Sequence, residues 1–136
     1  MSTLKIVNAS GKRKKAVARA VLKPGVGIVK INNKLLEGYE PRLARMKIME
    51  PLMIAGDYAG KVDIKVTVNG GGQFSQAEAV RLTIAKALVE FSKDKKLVKE
   101  FLEYDRHLLI ADVRQREDRK PNSAGKARSK VQKSYR

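Results

Sequence analysis

Three groups of residues have types and spacings that could do chemistry. Lys12, Arg13, Lys14 and Lys15 stand in a row just before an apolar run. Cations so placed suit phosphate contact, because they neutralise a polyanion and release its counterions. Gly70-Gly71-Gly72 follows a strand-like stretch and precedes a helical one, the position in which a backbone turn and a helix N-terminus can hold a phosphate. From Arg119 to Arg136 there are seven basic residues (Arg119, Lys120, Lys126, Arg128, Lys130, Lys133 and Arg136) and no acidic one. Such a segment cannot bury enough surface to offset its ordering entropy, and its charges suit an arm that follows a phosphate path and orders on binding. The plainer reading of that segment is a solubilising tail.

Catalytic constellations are missing. His107 is the single histidine and the chain has no cysteine, which removes thiolate chemistry and cysteine-ligated metals. Asp112, Glu117 and Asp118 lie among Arg114, Arg116 and Arg119, where ion pairing explains them better than metal binding. Gly70 to Ser75 lacks the lysine and hydroxyl of a P-loop and the third glycine of a dinucleotide fingerprint. A tight turn against something bulky is the simpler account of the glycines, and contact with a nucleic-acid backbone is the other. No enzymatic activity, cofactor or metal is expected.

The elements that must position these groups follow from periodicity. Val62, Ile64, Val66 and Val68 alternate with polar residues, as in a half-buried strand. Ser75 and Glu78 have the spacing of a capping box, opening a helix that runs to Phe91. Ala77, Val80, Ile84, Ala87, Leu88 and Phe91 fall on one side of it and Leu82, Ala85 and Val89 on the opposite side, so it should lie sandwiched as the central helix. Upstream, Leu4–Val7 is a strand candidate with a turn at Ser10-Gly11. Ala16–Leu22 is a strand with one small-residue face, and Pro24 to Gly27 turns it into a return strand at Ile28–Ile31. Pro41 and Pro51 each sit where a first helical turn accepts proline, predicting two short helices, Pro41–Lys47 and Pro51–Gly56, with Met46, Met49 and Met53 filling core gaps. A last helix spans Lys95–Tyr104, and Leu108, Leu109 and Ile110 anchor the end of the body. The expected division is a globular RNA-binding body over residues 1–110 and an extended basic tail over 111–136.

The totals agree with a polyanion partner. The chain has 136 residues, 30 Lys plus Arg against 14 Asp plus Glu, a net charge of +16 and a pI near 10.3. A compact domain this basic repels itself unless a polyanion is present. No apolar run is long enough to span a bilayer and none resembles a signal peptide, so a cytoplasmic protein without a membrane partner is expected. Aromatic residues are few, which argues against base stacking as the main device.

Several stretches carry a family resemblance. Gly11-Lys12-Arg13-Lys14-Lys15-Ala16-Val17-Ala18-Arg19 resembles the opening motif of small-subunit ribosomal protein nine. Gly70-Gly71-Gly72 with Gln76-Ala77, Ala79, Val80, Arg81 and Leu82 is similar to that family's central-helix signature. Asp112, Arg114, Glu117, Arg119-Lys120, Gly125-Lys126-Ala127-Arg128 and Gln132-Lys133-Ser134-Tyr135-Arg136 resemble its tail, and Tyr135 resembles the archaeal and eukaryotic branch. The resemblance implies an α+β fold, a two-layer sandwich like domain two of ribosomal protein five with a left-handed βαβ connection. It implies a ribonucleoprotein role in translation, bound to rRNA in the head of the small ribosomal subunit beside neighbouring ribosomal proteins. The rRNA-binding set so implied is Lys12, Arg13, Lys14, Lys15, Gly71, Gly72, Arg81, Arg114, Arg116, Arg119, Lys120, Lys126, Arg128, Lys130 and Lys133. Tyr135 and Arg136 would reach the anticodon stem-loop of the peptidyl-site tRNA. The competing readings are a free-standing RNA chaperone or ribonuclease P-type RNA-binding protein, and a kinase-like nucleotide-binding protein.

Overall fold

The computed structural model describes residues 5–128. Its strands are β1 (Val7–Arg13), β2 (Ala16–Pro24), β3 (Val29–Ile31), β4 (Lys34–Leu35) and β5 (Val62–Asn69), and its helices α1 (Arg42–Ala55), α2 (Gln73–Ser92) and α3 (Lys95–Tyr104). The described strands form one mixed sheet in the order β1-β2-β5-β3-β4. β2 pairs antiparallel with both β1 and β5, β3 pairs antiparallel with β4, and β3 runs parallel to β5. The connection from β3 to β5 carries α1.

Alternation puts one face of the sheet in the core. β2 buries Ala16, Ala18, Ala20 and Leu22, and β5 buries Val62, Ile64, Val66 and Val68. They share a core with Ala77, Val80, Ile84, Ala87 and Leu88 of α2 and with Leu97 and Phe101 of α3. A fully buried side chain of Leu or Phe size contributes roughly 1.5–3 kcal/mol. The small residues on β1 and β2 let α2 approach closely. A Cβ at Gly11 would lie 2.6 Å from Thr83 Oγ1 and 3.2 Å from the Ala79 carbonyl oxygen. Gly11 therefore sits inside β1 under the helix, not in the turn expected there, and β1 runs on to Arg13.

Ile28–Ile31 does not return along β2. Asp63 Oδ1 accepts the backbone N–H groups of Val26 (3.0 Å), Gly27 (3.2 Å) and Ile28 (3.0 Å), carrying the turn across the end of β5. β5 then wedges between β2 and β3. Where β3 ends, the Asn32 side chain takes over the pairing, accepting from Val68 N–H (2.9 Å) and donating to the Val68 carbonyl (3.1 Å). Asn32 and Asn33 have φ of 49° and 69°, the left-handed pair that a two-residue hairpin needs, and this turn makes β4, which periodicity does not reveal.

The two short helices expected at the prolines are one. α1 runs through Pro51. An interior proline removes a backbone hydrogen bond and costs ~3 kcal/mol. Burial of Ala44, Ile48, Pro51 and Ala55 at helical spacing offsets that loss. The methionines expected in the core are on the other side of α1: Met46, Met49 and Met53 are 51%, 38% and 74% exposed. The capping box also fails. The N-cap of α2 is Gly72, three residues before Ser75, and glycine has no side chain to cap with; Glu78 is engaged with Arg13 instead. Lys93, in the left-handed region at φ 51°, ends α2, and Asp94 caps α3 by accepting from the Lys96 N–H. Leu108 is buried, Leu109 packs on the core and Ile110 is half exposed. From Ala111 to Arg128 there is no helix or strand.

Candidate nucleic-acid interface

Two backbone turns meet at one end of the sheet. Lys14 and Lys15 form the β1–β2 turn, with Lys14 at φ 53°. Gly70 and Gly71 (φ 81° and 68°) lie against that turn. A Cβ on Gly70 would sit 2.5 Å from the Lys15 carbonyl oxygen, and one on Gly71 would sit 3.1 Å from the Ala16 nitrogen. The bulky neighbour of the glycine turn is thus the chain's own hairpin. Gly72 meets nothing within 4 Å, so no close approach demands glycine there.

The turns border an open cleft of about 700 Å³, lined also by Ser75, Arg114 and Arg116. Lys14, Lys15, Arg114 and Arg116 are exposed. The cleft reaches the first turn of α2, whose leading N–H groups have no partner within the helix and carry the positive end of its dipole. Cationic side chains and backbone donors converge here, an arrangement suited to a phosphate-bearing polymer.

Arg114, though exposed, is already paired with Asp112 (Nη2 to Oδ2 2.7 Å), and Arg13 is not a free cation either. Its side chain is 12% exposed. Nε donates to Glu78 Oε2 at 2.7 Å, Nη1 donates to the Arg114 carbonyl at 3.0 Å, and Nη2 lies 3.5 Å from Asp112 Oδ2. It joins β1 to α2 and to Asp112 and Arg114, which follow the last helical turn. Burial alone would raise the Glu78 carboxyl, but hydrogen bonds from Arg13 and Lys47 outweigh it and hold the group below the usual glutamate range. Asp112 is held far below the carboxylate range by the Arg114 guanidinium and backbone N–H.

Arg81 is likewise committed. It is buried, with Nη2 2.6 Å from Glu50 and 3.1 Å from Asp105. Burial would raise the Asp105 carboxyl, yet the His107 backbone N–H and Arg81 together lower it. His107 enters this cluster through its backbone, and its ring Nδ1 lies 3.4 Å from the Ile110 carbonyl. The resemblance placed Arg81 in the rRNA-binding set, and nothing in the sequence revealed its acceptors. Glu50, Glu78 and Asp105 have no mutual spacing that would flag a cluster, whereas Asp112 beside Arg114 is readable as an ion pair.

Lys12 is exposed at the end of β1. Further along, Glu117 bonds Lys120 at 2.9 Å and Arg128 at 3.0 Å, while Arg119 and Lys126 are exposed. Lys130, Lys133, Tyr135 and Arg136 lie outside the described residues. Among the described residues no group of His, Cys, Asp or Glu is placed to hold a metal ion, and no helix is long and apolar enough to cross a membrane.

Comparison with known proteins points one way. The family described as "Ribosomal protein S9/S16" matches residues 11–136. A Desulfurococcus amylolyticus protein named "Small ribosomal subunit protein uS9" is 54% identical over 133 residues, covering 98% of this chain and 94% of its own length. A protein of the same name from Methanothrix thermoacetophila is 50% identical over 133 residues, covering 98% of this chain and all of its own.

Proposed function

The chain belongs to the ribosomal protein S9/S16 family, and from that premise we propose that it is a structural, non-enzymatic constituent of the small ribosomal subunit. The observation that carries the RNA-facing part of the reading is the cleft where Lys14, Lys15, Arg114 and Arg116 converge on the start of α2. Phosphate contacts there would give affinity and position without sequence readout, and RNA shape would select the site. Lys12, Arg119, Lys120, Lys126, Arg128, Lys130 and Lys133 extend the same contact, with Gly71 and Gly72 shaping the cleft wall. Arg13 and Arg81 act instead as internal ties. We assign rRNA of the subunit head as the ligand and other head proteins as neighbours. Residues 111–136 act as the arm, and Tyr135 and Arg136 reach towards the peptidyl-site tRNA. Strand order β1-β2-β5-β3-β4, with α1 in the β3–β5 connection, accords with a sandwich like domain two of ribosomal protein five, and we take the crossover to have that fold's left hand.

The test is the salt dependence of binding to protein-free RNA of the subunit head. Each phosphate contact contributes about −0.7 to −0.9 to the log–log slope. Replacing Lys14, Lys15 and Arg116 by Gln should flatten the slope by roughly two to three units. An unchanged slope would remove the cleft from the interface.

A further inference from the structure

We propose that the open face of the sheet is a second phosphate-binding surface, distinct from the cleft, with Lys30 and Lys65 at its centre. This rests on the reading of the chain as an RNA-bound protein and adds a surface whose central pair lies outside the motifs, with Lys12 at the edge it shares with the cleft.

Register makes the case. β1, β2, β5 and β3 bury one face, and the alternate residues point to solvent. Pairing sets Asn8 opposite Val21, Val21 opposite Lys65, and Lys65 opposite Lys30, a row running across four strands. Next to it Ser10, Arg19 and Thr67 form another row, and Lys12, Val17 and Asn69 a third. Lys12, Arg19, Lys23, Lys30 and Lys65 are all exposed on this face. Among the described residues none of the five joins an ion pair. The carboxylate on the face, Asp63, is turned to the Val26–Ile28 backbone, which holds it below the usual aspartate range through the Ile28 N–H foremost.

Lys30 beside Lys65 is the telling pair. β3 and β5 are parallel neighbours, so these two lysines lie side by side at about the 4.7–4.9 Å strand spacing, and like charges held that close repel. A strand position facing solvent accepts threonine or glutamine without that cost, so the lysines work against the free fold. An anion lying across the row converts repulsion into shared attraction. Val21, 43% exposed, stands next to Lys65 in this row, an apolar surface of the kind a lysine stem can cover while its ammonium stays in water. A hollow lined by the three cations Lys23, Lys30 and Lys65, by apolar Val21, Ile28 and Ile64, and by the backbone-bonded Asp63 marks the place. The spread of cations over several strands fits a phosphate backbone lying across the sheet. A second copy of the chain would bring another +16 to a face already positive.

The experiment compares Lys30→Gln, Lys65→Gln and the double variant with the parent chain. In the free protein each single substitution should raise Tm at low salt by about 1–3 °C, because it relieves the like-charge pair, and the double should add little more. Affinity for protein-free RNA of the subunit head should fall about tenfold to a hundredfold in the double variant near 0.1 M salt, with the slope flatter by roughly 1.4–1.8 units. Lysine acetylation gives the local readout: Lys30 and Lys65 should become at least about tenfold less reactive in the binary complex with RNA. Lys14 and Lys15 protected while Lys30 and Lys65 react freely would overturn this surface and leave the cleft standing. Protection of Lys30 and Lys65 only when other subunit proteins are present would overturn it too, by assigning the face to a protein neighbour. If the parent chain shows no affinity for subunit RNA, the reading of its function fails and this surface fails with it.

Discussion

Arg81→Met separates a structural arginine from an RNA ligand. The substitution keeps an unbranched chain in a buried place and deletes the cation between Glu50 and Asp105, which lie 2.6 Å and 3.1 Å from Arg81 Nη2. Removing one partner of a fully buried pair costs about 3–5 kcal/mol, because the other charge stays behind. Here the two carboxylates keep 29% and 36% of their side-chain exposure, so water screens part of that loss and about 2–3 kcal/mol is the appropriate figure. Near 3–4 °C per kcal/mol for a chain of this size, Tm should fall by about 6–12 °C.

The loss should also depend on pH, with a definite sign. The folded-state value of Asp105 is depressed: its burial raises it, but the His107 N–H and Arg81 lower it further. A depressed carboxylate contributes stability that is present above its unfolded value, about 3.9, and is lost as pH falls through the lower folded value. The gap between parent and variant should therefore be widest above about pH 5 and should narrow below about pH 4. Thermal unfolding across that range, alongside RNA titration of the folded variant, is the assay. A variant with parental Tm but a salt slope flatter by about one unit would refute the argument, since that is how a phosphate ligand behaves.

Other substitutions test the remaining parts. Arg13→Ala should loosen the start of the tail, seen as about tenfold or greater acceleration of tryptic cleavage at Arg114 and Arg116 well below Tm; unchanged cleavage would show that the Glu78, Asp112 and Arg114 contacts do not hold it. Gly70→Ala should cost roughly 1–3 kcal/mol or more through a strained φ and collision with the Lys15 carbonyl, whereas Gly72→Ala, with open space around it, should unfold like the parent; equal stabilities would remove close approach as the reason for the turn. Deleting Tyr135 and Arg136 should leave subunit composition intact and speed tRNA dissociation from the peptidyl site by about tenfold to a hundredfold, the worth of one charge-assisted contact; equal dissociation rates would exclude the tRNA contact.

What the sequence makes legible is whatever depends on neighbours along the chain. Alternation over Val62–Val68 and the alanine face of β2 are local, and the structure reproduces both. The helix at Lys95–Tyr104 also appears as read, because Asp94 caps it within two residues. What misleads is any residue whose reason lies across space. Gly11 reads as a turn because glycine permits one, yet its purpose is to leave room for Thr83, whose Oγ1 would lie 2.6 Å from a Cβ there. Pro51 reads as a helix start because the packing that retains it inside α1 is tertiary. Ser75 and Glu78 have capping spacing, but Arg13, 65 residues away in sequence, takes the carboxylate.

The same distinction decides how the charges divide between fold and function. Thirty basic residues give a field that any polyanion would feel, and composition alone supports that much. Which cations are free to use the field depends on where the fourteen acidic residues are placed. Glu50 and Asp105 take Arg81, Glu78 takes Arg13, and Asp112 takes Arg114 with Arg13 Nη2 3.5 Å away, so two arginines with RNA-like motifs become ties between helix, sheet and the residues after Ile110. Among the described residues Lys30 and Lys65 receive no acid, and they lie side by side on β3 and β5. An unpaired like-charge couple on a solvated sheet weakens the free fold, and a phosphate backbone is the partner that would reverse the sign of that interaction.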